Sequence, residues 1–257
     1  MKYWAERNAK AQAKLTEKNI KEIEKQLGKY YNRAMETVIN DFVATYEKIT
    51  YSVDHKHPIT TADLYKLDRY WELQGQLQIE LQKLGNRKLA AMANRFQKEF
   101  FDIYAVISLP SGTQYSTISK DTVAQMINQI WCADGKSWSN RVWTNTARLQ
   151  EALNNELINC VLTGRRTRDL KKKLQHEFEV SYYRADAIVR TEMAHIQTEA
   201  ARKRYEDYGI KQVEVFADED ERRCKECGKL HGTKYFVTDA IPIPAHTNCR
   251  CCVVPVI

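Results

Sequence analysis

Five of the seven cysteines crowd into the last 34 residues: Cys224, Cys227, Cys249, Cys251 and Cys252. Cys224-Lys225-Glu226-Cys227 is a C-x-x-C pair. His246-Thr247-Asn248-Cys249 begins 19 residues beyond it and is followed by Cys251. Thiolate sulfur and imidazole nitrogen are the ligands a tetrahedral structural zinc takes, and a two-residue gap lets both members of a pair turn onto one ion. The ligands read from this spacing are Cys224, Cys227, His246 and Cys249 for a structural Zn2+. Cys251 offers a second thiol beside Cys249 and can replace it or His246; His231, close after Cys227, is the other alternate. Residues 210–257 hold only a few large apolar side chains, too few for a core. A metal closing a loop of about twenty residues supplies the stability that packing does not.

Rival chemistries leave incomplete signatures. A catalytic zinc needs an open position and a nearby base, yet His176-Glu177-Phe178-Glu179-Val180 lacks the second His of H-E-x-x-H. The deaminase pattern, Gly-rich phosphate loops and G-x-S-x-G elbows do not occur. Asn248 beside His246 keeps a zinc-supported nuclease of the His-Asn-His kind open as an alternative, without a second catalytic His at suitable spacing. A redox C-x-x-C would sit in a βαβ pattern, which is not seen here. The metal-free alternative is a small α+β piece with free thiols.

Gly164 to Lys173 holds six bases, Arg165, Arg166, Arg168, Lys171, Lys172 and Lys173, against one acid, Asp169. Such clusters contact phosphates, so double-stranded DNA bound without sequence preference is one expectation; a solvated basic face is the other. A zinc-containing DNA-binding protein of another kind stays open as a further alternative. Arg190-Thr191-Glu192 lies mid-helix. Residues two apart do not face each other on a helix, so the reading is a buried Arg or Glu tying this helix to the C-terminal segment.

Helices must position these groups. Ile20, Ile23, Leu27, Tyr31, Ala34, Val38, Phe42 and Tyr46 recur at steps of three and four, which predicts one helix from residue 5 to about 49. Its first 15 residues carry a weak apolar stripe and need a partner to stay ordered. His55-Lys56-His57-Pro58 breaks it. Thr60 and Asp63 form a capping arrangement for a second helix with the stripe Leu64, Leu67, Trp71, Leu77, Leu81 and Leu84, which Gly85-Asn86 stops or kinks. Leu109 to Gly112 is a loop. A helix runs from Ser119 to about Trp131, Ala133-Asp134-Gly135 is a turn, and Ser139 caps the next helix, which Gly164 ends. Arg165–Leu174 reads as a short helix, and Ser181 starts another that ends at Gly209. Val213 and Val215 alternate with polar residues as a strand, and Val253 to Ile257 forms an edge strand with Pro255. Cys132 and Cys160 fall in helical patterns as buried thiols.

The fold class is therefore mainly α, with an elongated helical N-terminal part and a small zinc-stabilised α+β module at the C-terminus. The division reads 1–115, 116–209 and 210–257. The 257 residues carry a net charge of +7, a mild excess compatible with nucleic acid. Nine Gly and five Pro are too few for a collagen or a turn-dense sandwich. No apolar run reaches membrane-spanning length, and Met1 to Glu6 runs into polar residues instead of a signal h-region.

Read in order, Val161 to Gly164, Ala187 to Glu192, Asp220-Glu221-Arg222-Arg223-Cys224-Lys225-Glu226-Cys227, Leu230-His231-Gly232, Ile243-Pro244 and His246-Thr247-Asn248-Cys249-Arg250-Cys251 resemble the phage head morphogenesis, or minor head, proteins of the Mu protein F-like class. The likeness covers roughly residues 130–257. It implies a non-catalytic minor capsid protein, made in the host cytoplasm and lodged inside the procapsid and virion. The implied partners are the phage portal protein, the major capsid or scaffolding protein, and DNA during assembly, packaging or ejection. The family usually has an acidic residue where His231 stands and often a Pro where Thr247 stands. Some relatives carry a toxin domain after this region; the expectation here is none, since the sequence stops at Ile257.

Overall fold

The computed structural model describes residues 2–52, 60–109, 117–132, 134–217 and 223–257. The expected loops at 55–58 and 110–112, Ala133 of the predicted turn, and Asp220 to Arg222 lie outside the described residues. The elements are α1 (Lys2–Ser52), α2 (Thr61–Tyr65), α3 (Asp68–Val106), α4 (Lys120–Ile127), α5 (Trp138–Thr163), α6 (Thr167–Asp207), β1 (Gln212–Phe216), α7 (Lys225–Leu230), β2 (Lys234–Phe236) and β3 (Cys252–Pro255). The fold is mainly α with one three-stranded sheet, as the periodicities predict. None of the described helices is long and apolar enough to cross a membrane.

Two compact units divide the chain. The first takes Met1–Glu24, Ala91–Trp138 and Asp186–Ile257; the second takes Lys25–Ala90 and Ser139–Ala185. In the first, β1 is the central strand of an antiparallel sheet ordered β2-β1-β3, with Val213 opposite Tyr235 and Pro255, and Val215 opposite Val253. That leaves β3 at an edge, where the missing N–H of Pro255 costs nothing. Cys252 and Val254 pack on Ala9, flanked by Ala5 and Phe216. The start of α1, whose apolar stripe is weak, has a polar one instead. Asn8, Gln12, Thr16 and Asn19 recur at steps of four and three, and all are buried. Each finds a partner: Asn8 Nδ2 donates to the Ser108 carbonyl at 3.1 Å, and Gln12 Nε2 to the Val253 carbonyl at 3.1 Å. Thr16 donates to Glu99, and Asn19 Nδ2 donates to Glu99 Oε2 at 2.7 Å. Glu99 is fully buried, and desolvation raises its carboxyl to about 7. The partners that the first 15 residues require are thus the chain's own β3 and Ser108, just beyond α3.

In the second unit Leu27, Tyr31, Ala34, Val38, Phe42 and Tyr46 of α1 are buried as their spacing predicts. Leu64, Leu77, Leu81 and Leu84 of the predicted stripe are buried, but Trp71 is 57% exposed and Tyr70 and Leu73 are buried in its place. The Thr60 cap with Asp63 forms, but α2 ends at Tyr65, and the break before Asp68 resets the helical phase. Burial then runs Tyr70, Leu73, Leu77, Leu81, Leu84. Gly85 does not stop α3. A mid-helix glycine costs only about 1 kcal/mol, and here its bareness seats a ring, since a Cβ would lie 2.4 Å from Trp143.

Three further boundaries move. Ser139 lies one residue inside α5, which starts at Trp138. There the Trp138 ring meets Phe96 edge-on and its Nε1 donates to Asn128. The helix after Ser119 stops at Ile127, which leaves Cys132 in a bend and half-buried instead of helical; Cys160 is buried in α5. Ser181 starts nothing, since α6 runs unbroken from Thr167 to Asp207. The Ser181 hydroxyl lies within 3.4 Å of Asn145 and 3.1 Å of Tyr31, so it has partners without serving as a cap. Gly164 and Gly209 do end helices, at φ 60° and 74°, the left-handed conformation a C-terminal turn requires.

Candidate metal centre

The C-x-x-C sits at the start of α7. Cys224 is its N-cap in extended conformation, and its sulfur accepts the Cys227 N–H at 3.3 Å. That bond brings both sulfurs to the same side. The other donors come from the loop before β3. There the Cys249 N–H reaches back to the His246 carbonyl at 3.2 Å, and Asn248 turns the chain at φ 63°, a left-handed conformation Asn tolerates. The loop is tied to α6, since the Asn248 N–H donates to Thr191 Oγ1 at 3.3 Å.

The donor atoms converge. His246 Nε2 lies 3.2 Å from Cys224 Sγ and 3.0 Å from Cys227 Sγ, and Cys227 Sγ lies 3.8 Å from Cys249 Sγ. Bond lengths of about 2.3 Å to sulfur and 2.0 Å to nitrogen give tetrahedral edges of about 3.8 Å between sulfurs and 3.5 Å between sulfur and nitrogen. The sulfur pair is at that spacing and the nitrogen sits slightly inside it. Two groups could each hold a metal ion, Cys224 with Cys227 and His246, and Cys227 with Cys249 and Cys251; Cys227 belongs to both. Cys227, Cys249 and Cys251 are buried, and Cys224 and His246 half-buried.

Close packing shifts several of these groups in opposite directions. The Cys227 N–H holds the Cys224 thiol below its usual range. A hydrogen bond from Cys251 brings Cys249 down to about 5 and, being donated, pushes Cys251 up. Burial pushes Cys227 up to about 12. His246 is raised, first by its bond to the Thr247 carbonyl. That 2.8 Å contact also fixes the tautomer. A carbonyl only accepts, so Nδ1 carries the proton and a neutral ring presents its Nε2 lone pair to the sulfurs. A cavity of about 30 Å³ opens beside Cys224 and His246, room for a water and not for a nucleotide.

His231 stands outside both donor groups; its Nδ1 accepts the Ala217 N–H at 3.1 Å and its ring meets Phe216. The Arg-Thr-Glu triplet fans out. Arg190 turns to Asp186 and Glu24 on α1, so it is not the tie to the C-terminal segment. Thr191 is that tie, and no spacing marks it, because its partner is a backbone N–H. Glu192 is 2% exposed and accepts the Trp131 indole N–H at 2.9 Å. Trp131 in turn stacks on His195 at 4.3 Å. In the other unit Arg165, Arg166, Arg168, Lys171, Lys172 and Lys173 are all exposed, with Arg166 3.8 Å from Asp169.

Residues 151–254 match the family described as Phage Mu protein F like protein. The matched stretch contains the Arg-Thr-Glu triplet and every donor of the metal centre, in agreement with the resemblance those residues carry. No curated protein and no solved structure matches the chain.

Proposed function

We propose that this Mu protein F-like chain is a minor capsid protein that acts in phage head morphogenesis without catalysis. In this reading Cys224, Cys227, His246 and Cys249 hold a structural zinc ion, and residues 210–257 form the module that it staples. The observation that carries it is the enclosure of the whole donor cluster within the family match. The donor set supports zinc on chemical grounds: thiolates with one imidazole in a largely buried site suit a borderline-soft ion, and four protein ligands leave no open position for substrate. The family likeness makes the portal the natural partner and the interior of the procapsid the natural place. Deleting the gene from its phage tests the role. The expected result is the chain in a few copies in wild-type heads, and particles poor in DNA or infectivity without it. Heads that never contain the chain would sink the proposal.

Double-stranded DNA is the second proposed partner, through the exposed bases at 165–173. Replacing all six with glutamine should lower affinity for random-sequence DNA at least tenfold at low salt. It should also flatten the dependence of log K on log salt, by up to about 0.9 for each phosphate that is no longer neutralised. An unchanged slope in a gel-shift series would remove this run from the DNA interface.

A further inference from the structure

A pocket of about 230 Å³ opens between α1 and α6 in the second unit, and nothing in the metal-centre reading uses it. Gly28, Tyr31 and Met35 of α1 form one side, and Phe178, Glu179 and Tyr182 of α6 the other. Tyr182 meets Tyr31 edge to face, with centroids 5.5 Å apart at 86°, so two ring planes stand at right angles in its wall. Glu179 is the one charged group among the described lining residues; it is exposed and has no hydrogen-bond or ion-pair partner among the described residues.

Gly28 points the same way. It sits inside a 51-residue helix, where glycine is about 1 kcal/mol worse than alanine. Nothing in the fold demands it: its φ is helical, and an added Cβ would meet nothing within 4 Å. Gly85 is bare because Trp143 fills its space, and Gly75 is exposed, but Gly28 is half-buried at the pocket. Its missing side chain keeps the pocket open.

Aromatic faces attract cations, a planar guanidinium stacks on them better than an ammonium, and a free carboxylate completes the pairing. We infer that this pocket receives the arginine side chain of another protein, its guanidinium against the half-buried Tyr182 ring and paired with Glu179. The inference does not depend on the zinc site.

The test is a titration of the full chain, labelled with 13C at its methionine methyls, with N-acetyl-arginine amide and with its neutral isostere N-acetyl-citrulline amide. The Met35 methyl, assigned by substitution, reports the pocket. The expected result is a saturable shift with the arginine probe and at least tenfold weaker binding of citrulline. Glu179→Gln should weaken the arginine probe severalfold. Gly28→Leu should abolish the shift while the helical circular dichroism persists. Equal binding of the two probes would make the pocket merely apolar and overturn the inference, as would no saturable shift or undiminished binding to folded Gly28→Leu. A dimer of the wild type that Gly28→Leu dissolves would assign the arginine to a second copy and overturn the assignment to another protein.

Discussion

Cys227→Ala is expected to empty the metal centre and release the C-terminal sheet. Wild-type protein purified without chelator should carry about one zinc per chain, and the variant less than a tenth of that. Cys227 is the position to choose because it belongs to both donor groups, so its loss leaves neither group with three donors close to one another. Structural zinc in small modules contributes on the order of 10 kcal/mol, more than a three-stranded sheet of such short strands holds on its own. Amide protons of β1, β2 and β3 should therefore exchange much faster in the variant, while far-ultraviolet circular dichroism keeps most of its helical signal. Cys251→Ala is the companion measurement: zinc retained there leaves Cys224, Cys227, His246 and Cys249 as the ligands. Unchanged zinc and unchanged amide protection in Cys227→Ala would end the reading of this cluster as a metal centre.

Lys88→Met should stabilise the second unit, most of all at low pH. Lys88 is fully buried and has no ion-pair partner among the described residues; its Nζ reaches Thr146 Oγ1 at 2.8 Å and the Tyr31 hydroxyl at 3.3 Å. Desolvation alone pushes its amine from 10.5 down to about 7. Between those values the unfolded chain binds a proton that the folded chain does not. Wild-type stability therefore rises with pH across the window, by about 1.4 kcal/mol per unit. It is lowest below pH 7, where the buried amine is charged. Methionine fills similar space without the charge. Its neighbours keep partners: Thr146 donates to the Val142 carbonyl, and the Tyr31 hydroxyl accepts from Asn145 and donates to Ser181. Urea titrations at pH 6, 8 and 10 should show the variant's advantage shrinking as pH rises. A difference that stays flat across pH would mean the amine keeps its ordinary affinity for protons inside the fold.

The convergence of Cys224, Cys227, His246 and Cys249 is legible in the sequence because thiols and imidazole at close spacing have few other uses, and the spacing itself is the geometry. The apolar stripe from Ile20 to Tyr46 is legible for the same reason: a period of 3.6 in large side chains has one meaning. Periodicity misleads where polar groups do the packing. Asn8, Gln12, Thr16 and Asn19 keep helical spacing as faithfully as the leucines do, but a search for apolar residues passes over them. Ser181 resembles a cap because nothing local says that its hydroxyl has partners on α1 and α5. Trp71 falls on the wrong face because α2 ends at Tyr65 and α3 starts anew at Asp68, so the spacing from Leu64 does not carry across the break, and Tyr70 and Leu73 lead on to Leu77, Leu81 and Leu84 instead.

The polar stripe also bears on the order in which the chain is made. Gln12 donates to a carbonyl 241 positions further along. A ribosome adds about 5–20 residues per second, so the N-terminal turns of α1 wait roughly 10–50 s for the strand that satisfies them. Throughout that interval their amides and hydroxyls face water at no cost, where an apolar stripe would face it as a sticky surface. A segment that must outlast its own partner's synthesis is better served by side chains that tolerate the delay.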